Sequence, residues 1–204
     1  MDLREKIIRE SIRLFSLNGF LGASLNDIIE AAGTSKGGFY NHFKTKEALF
    51  SAVLSESRKI WREKTLAGLE RLDQPLEKIF KFLENYRDRY LKDNENFPGG
   101  CLFIALAVEL DHRRPALARE VHEGFARLKN MIHRLLDQAQ AEGQLKDQVN
   151  TAALTEMIFA GMLGASVMYG LDQSPEGLDR TINALITHLR SLAGQGFDFG
   201  QGLI

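Results

Sequence analysis

The stretch SLNDIIEAAGTSKGGFYNHFKTKEALF, residues 24–50, decides how the chain is read. Ser24, with Asp27 three positions on, makes a capping-box pattern, so a short helix carrying Leu25, Ile28, Ile29 and Ala32 begins there. Gly33 breaks it and permits the tight change of direction to a second helix. Ser35 caps that second helix, which runs through Phe39, Tyr40 and Phe43; Thr45 caps a longer one starting at Lys46 and carrying Leu49, Phe50, Val53 and Leu54. Two short helices set at an angle let one enter the major groove while the other braces it.

Local charge agrees with that reading. From Thr34 to Lys46 there are three lysines (Lys36, Lys44, Lys46) and no acidic residue, a formal charge of +3 in a chain whose net charge is −1. Bulk electrostatics thus says nothing for nucleic acid, but a local patch attracts phosphate. Ser35 and the amides at the helix start are further phosphate donors. Gly37 and Gly38 each cost a helix about 1 kcal/mol, which close backbone approach to DNA, or a crowded turn, explains. Tyr40 offers a hydroxyl to phosphate, His42 stands near the backbone, and Phe39 offers a contact to a thymine methyl, while Phe43 is read as core.

Working outward, residues 3–17 alternate Leu3, Ile7, Ile8, Ile12, Leu14 and Phe15 with charges at helical spacing, and Gly19 ends that helix. Beyond Leu69, helices are read from Pro75 through Ile79, Phe82, Tyr86 and Tyr90, from Cys101 to Leu110, and from Pro115 to Gly143. Two more span Thr151 to Tyr169 and Ser174 to Leu192, divided by Gly170 and Pro175. No strand alternation appears. The expected class is all-α: a helix-turn-helix head over 1–46, a helical sensing and dimerisation domain over 47–194, and a glycine-rich tail over 195–204, either flexible or packed back.

The last helix bears a 4-3-4-3 apolar seam of Leu178, Ile182, Leu185, Leu189 and Leu192. Its neighbour bears Leu154, Ile158, Gly161, Ala165 and Met168, with Gly164 another small residue for close approach. These seams suggest a four-helix core between two subunits; the alternative puts both inside one subunit. Trp61, Phe82, Tyr86, Phe103, Phe125, Met131, Met157, Phe159 and Met162 are candidate linings of a pocket for a small organic effector. Cys101, after Phe97-Pro98-Gly99-Gly100 at a helix start, is either a redox- or electrophile-responsive thiol or a small apolar residue.

Enzyme chemistry finds no footing. Glu109, Asp111, His112 and Arg113 read as a solvated helix end, and His122 and His133 lie too far apart for a shared ligand set. No phosphate loop, metal-ligand motif or nucleophile–base set is present, so no cofactor and no metal are expected. The lone cysteine excludes an intramolecular disulfide. The charged start is unlike a secretory leader, and no apolar run is read as approaching the roughly 20 residues of a membrane span; a cytoplasmic protein without membrane contact is the expectation. A helical adaptor without DNA specificity is the remaining alternative.

The N-terminal 50 or so residues strongly resemble the tetracycline-repressor family of bacterial regulators. The resemblance rests on Ile8, Phe15, Gly19, Phe20, Ser24, Ile28, Ala31-Ala32-Gly33, Ser35-Lys36-Gly37-Gly38-Phe39-Tyr40-Asn41-His42-Phe43, and Lys46, Glu47, Leu49 and Phe50. It implies a three-helix head on a larger helical domain, usually in a homodimer that reads an inverted repeat in double-stranded operator DNA. By that likeness Ser35, Lys36, Gly37, Gly38, Tyr40, His42 and Lys46 face DNA, with Thr34 and Phe39 adding contacts and Lys44 close by. The paired glycine departs from relatives with a larger residue there, which favours reading by backbone, water and neighbouring side chains over Gly38 itself. The Gly100-Cys101-Leu102 segment also resembles some electrophile-responsive family members.

Overall fold

The computed structural model describes residues 1–194, so the tail read over 195–204 lies outside the described residues. The head is α1 (Leu3–Gly22), α2 (Leu25–Ala31) and α3 (Lys36–His42). The body is α4 (Lys46–Thr65), a 3-10 turn (Leu69–Arg71), α5 (Pro75–Asn85), α6 (Leu102–Leu110), α7 (Pro115–Ala141), α8 (Thr151–Asp172) and α9 (Pro175–Ser191). Extended pairing among the described residues is limited to an isolated bridge between Leu145 and Ala193.

Local chemistry sets the boundaries. Asp2 and Glu5 close a capping box on α1, Ser24 and Asp27 close another on α2, and the side chains of Ser35 and Thr45 accept from Gly38 N and Ala48 N. The bond from Ser24 holds the Asp27 carboxyl below its usual range. Gly33, at φ +58°, makes the turn between α2 and α3.

Two breaks differ from the sequence reading. Gly19 sits at φ +73°, ψ 174°, yet one more helical turn follows it to Gly22. Gly170 does not divide the last two helices: α8 continues to Asp172, Gln173 turns at φ +51°, and Ser174 caps α9. The helix from Pro75 also changes pitch, since Tyr86–Leu91 continues α5 as a π-helical turn.

α4 belongs to both parts. Its first half puts Leu49, Phe50, Val53 and Leu54 into the core with Ile7, Ile12, Phe15, Phe20 and Ile28 of the head. The rings of Phe15, Phe20 and Phe50 pack edge to face at 5.4 and 5.0 Å. Its second half carries Trp61 to Phe82.

α1 is held along its length by the body. Arg9 pairs with Glu95 at 2.8 Å, and Arg13 donates to the Glu95 carbonyl. Gly99 N donates to Ser16 Oγ at 2.9 Å, and any Cβ at Gly99 would run into the Ser16 backbone. α6 lies along α1 and meets its final turn through Glu109.

α8 corrects one expectation. An 18-residue window within its 22 residues has a mean hydropathy of 1.4, enough in length and apolarity to cross a bilayer. Such a composition also suits a helix covered on two sides. Leu154, Ile158, Met162, Ala165 and Tyr169 are buried against the body, while Met168 and Leu171 are 57% and 76% exposed.

Candidate functional site

Two phenylalanines anchor α3 by one face. Phe39 is 0% exposed and Phe43 4%, with their ring centroids 5.9 Å apart and the Arg4 guanidinium 5.3 Å over the Phe43 ring. A thymine contact by Phe39 is therefore corrected: the ring is core, and no base can reach it. The opposite face is open. Ser35, Lys36, Gly37, Tyr40, Asn41, His42 and Lys44 are all exposed. Asn41 was absent from the sequence-derived DNA set. Its signal was its place one residue after Tyr40 on a helix whose inward positions were already taken by phenylalanines, and its amide suits an adenine edge.

Lys46 is the second correction. Its ammonium turns inward, donates to the Phe20 carbonyl and lies 4.4 Å over the Phe20 ring. Burial pulls its pKa down, opposed by the charges of Glu109 and Glu47. This lysine ties α4 to the end of α1. The outward charge of the segment thus rests on Lys36 and Lys44, the latter also donating to the Tyr40 carbonyl at 3.4 Å.

The glycine pair divides by cause. A Cβ at Gly38 would collide with Thr34 Oγ1, so its small size and the half-buried Thr34 belong to the packing of the turn. Gly37 has only Ser35 Oγ within reach, at 3.7 Å, so nothing inside the protein demands a glycine there.

Glu109 was read as part of a solvated helix end. In fact its carboxylate accepts from Phe20 N at 2.7 Å and Leu21 N at 2.9 Å, and a Cβ on Gly19 would collide with it. An acceptor here satisfies amides left orphaned by the break in α1.

A cavity lies between α4, the π-helical turn, α6, α7 and α8, with about 530 Å³ of unfilled space counting its open mouth. Seven sequence candidates line it: Trp61, Tyr86, Cys101, Phe103, Phe125, Phe159 and Met162. Three do not. Phe82 is buried behind Trp61, at 6.0 Å between rings; Met131 lines a separate groove with Leu66 and Leu69; Met157 is 37% exposed on the outside of α8. The lining residues missed are Arg58, Val121, Gly124, Leu128 and Leu163. No periodicity distinguishes such positions from ordinary core or surface, because the cavity is made where four helices diverge.

Polar groups on the cavity wall are mostly neutral. The Tyr86 hydroxyl bonds Ser166 Oγ, and Tyr90 OH lies 3.3 Å from Cys101 Sγ. Burial drives both tyrosines well above their usual range and pushes the Cys101 thiol up. At neutral pH the thiol is protonated.

The interface candidates need the largest correction. Leu154, Ile158, Ala165, Leu178, Ile182 and Leu189 are at most 5% exposed within a single chain. Within the single chain those seams close α8 and α9 onto each other and onto the body. Gly161 gives room to Leu185 of the same chain: a Cβ there would meet Leu185 Cδ2 at 2.8 Å. Leu185 and Leu192 are half-buried, and Met168 alone of the ten stands exposed. A different stripe faces outward on α8, comprising Ala153, Met157, Ala160, Gly164, Met168 and Leu171. Beside it Thr181, Ala184 and His188 are exposed on α9.

Among the described residues no group of histidines, cysteines or acids could hold a metal ion. Residues 7–53 match the family model described as bacterial regulatory proteins of the tetR family, and residues 75–185 match the tetracyclin repressor-like C-terminal domain. The transcriptional regulator LmrA of Bacillus subtilis is 30% identical over 165 residues, 79% of this chain and 85% of that protein. The transcriptional repressor DhaR of Mycobacterium sp. strain GP1 is 25% identical over 188 residues, 92% of each chain. A TetR transcriptional regulator from Chloroflexus aurantiacus superposes with a TM-score of 0.86 at 27% identity, covering 94% of this chain and 96% of that one.

Proposed function

The chain belongs to the tetR family of bacterial regulatory proteins, sequence-specific DNA-binding regulators and not enzymes, and from that premise we propose that it is a homodimeric repressor released from a palindromic operator by a small organic effector. The observation that carries the DNA-binding half is the open face of α3, with Lys36, Tyr40, Asn41, His42 and Lys44 exposed above the buried Phe39 and Phe43. Lys36, Lys44, the Ser35 end of the helix and the Tyr40 hydroxyl take phosphates, while Asn41 and His42 face base edges; Gly37 lets the backbone come close. Residues 1–46 form the reading head and 47–194 the sensing and dimerisation part. The name of DhaR, a repressor, supports the sign of regulation.

Dimerisation uses the outward apolar stripe of α8 from Ala153 to Leu171, flanked by Thr181, Ala184 and His188 of α9. Burying Met168 and Leu171 against a partner supplies the driving force, and Gly164 allows close approach. This use of the stripe also supports a protein that works in the cytoplasm, where it meets operator DNA, instead of one seated in a bilayer.

Effector and DNA communicate along α6. Cys101 stands at its start in the cavity wall and Phe103 follows in the lining, while Glu109 near its end holds α1 by two amides. A ligand that shifts α6 therefore tilts the head, changing the separation of the two α3 helices in the dimer. An electrophile-sensing Cys101 is less well supported, since a half-buried thiol whose pKa is raised by its surroundings is a poor nucleophile.

Selecting genomic fragments with purified protein at moderate salt tests the proposal. Enrichment of an inverted repeat, lost when the right compound is added, is expected. No enrichment over non-specific DNA contradicts it.

A further inference from the structure

We infer that the cavity takes an aromatic carboxylate, with Arg58 as the residue that selects its negative charge. The inference rests on the effector-pocket reading and deepens it.

Among the described residues Arg58 is the one cationic side chain in the cavity wall. Its Nε is buried and has no hydrogen-bond partner. Its Nη2 donates to the Glu120 carbonyl, a neutral acceptor that fixes the guanidinium. Neighbouring acids are otherwise engaged: Glu123 pairs with Arg127 at 3.6 Å, and Glu120 Oε1 lies 3.3 Å from the Ser51 hydroxyl. Among the described residues Arg58 forms no ion pair with any carboxylate. Burial, and the like charge of Arg127, weaken its hold on the proton, opposed by the charges of Glu120 and Glu123.

A half-buried cation without a direct ion pair gives an anion arriving in the cavity a charge to meet. Gly124 packs beside Nε, where an added Cβ would lie 3.9 Å from the nitrogen. The rest of the wall fits a flat apolar body, with Trp61, Phe103, Phe125 and Phe159 presenting rings and the last two edge to face at 5.7 Å. The carboxylate meets the cationic guanidinium while the ring lies among the aromatics.

Trp61 is the only tryptophan in the chain and lines the cavity, so its emission reports occupancy directly. The full-length protein is titrated with 4-tert-butylbenzoate and with 4-tert-butylbenzyl alcohol, its neutral counterpart of similar shape. The acid is expected to bind on the order of tenfold more tightly. In Arg58→Gln, with helicity checked by circular dichroism, the preference disappears; in Arg58→Lys, which keeps the charge, part of it remains. The wild-type comparison decides even if a variant fails to fold. Equal binding of acid and alcohol overturns the role of Arg58 and leaves the pocket reading standing. If neither compound perturbs Trp61, nor the matching 2-naphthoate and naphthalene alcohol, the inference and the pocket reading fall together.

Discussion

The carboxylate of Glu109, near the end of α6, accepts from the backbone N–H of Phe20, 2.7 Å away, in the last turn of α1. With its second bond to Leu21 N it occupies the ground that a side chain at Gly19 would fill. Glu109→Ala should cost about 2 kcal/mol in urea unfolding, because two amides lose a charged acceptor, while Glu109→Gln, retaining one acceptor oxygen, should cost less. Both should weaken the release of DNA by effector more than DNA binding itself.

The lysines of the head should separate by salt dependence. Lys36→Ala and Lys44→Ala should each lower DNA affinity and reduce the slope of log K against log salt by about 1. Lys46→Met should leave the slope unchanged and lower the thermal midpoint, since its ammonium is spent on the Phe20 carbonyl. Fluorescence anisotropy at several salt concentrations, beside a melting curve, checks all three. Tyr40→Phe should weaken binding to every sequence alike if its hydroxyl meets phosphate.

Charge on α8 and α9 should act differently according to the face it lands on. Leu171→Glu, at a position 76% exposed, should yield a helical monomer by light scattering. Ile182→Glu, at a position 0% exposed, should cost about 3 kcal/mol or more and lose helicity, because it buries an unpaired charge within one chain.

Cys101 should alkylate slowly. Burial raises its pKa, so the thiolate fraction at neutral pH falls below that of a free thiol and climbs only at pH above the ordinary thiol range. Mass spectrometry after iodoacetamide should show native protein reacting more slowly than urea-unfolded protein at pH 7. A native rate equal to or above the unfolded rate would instead favour the thiol as a sensor.

The helices were largely legible because each carries its own start signal and stripe: Ser24, Ser35, Thr45, Pro75 and Pro115 all stand at or beside the observed helix starts. Side-chain direction was less legible. The seam of Leu178, Ile182 and Leu189 reads the same whether it meets its own chain or a partner, and only packing decides. Lys46 and Glu109 look like surface charges in sequence; they are spoken for by backbone groups near Phe20, which periodicity does not reveal. Arg58 escaped notice because a buried, unpaired nitrogen is a property of three-dimensional surroundings alone.

Hydroxyl-radical footprinting of the selected operator, with protein stoichiometry measured on the same complex, tests most directly whether paired α3 helices do the reading. Two protomers should protect two symmetric patches about 34 Å apart or a multiple of it, on one face of the duplex, with both fading together in Lys36→Ala. A single protected patch bound by one protomer, or protection indifferent to Lys36, Tyr40 and Asn41 alike, would contradict it.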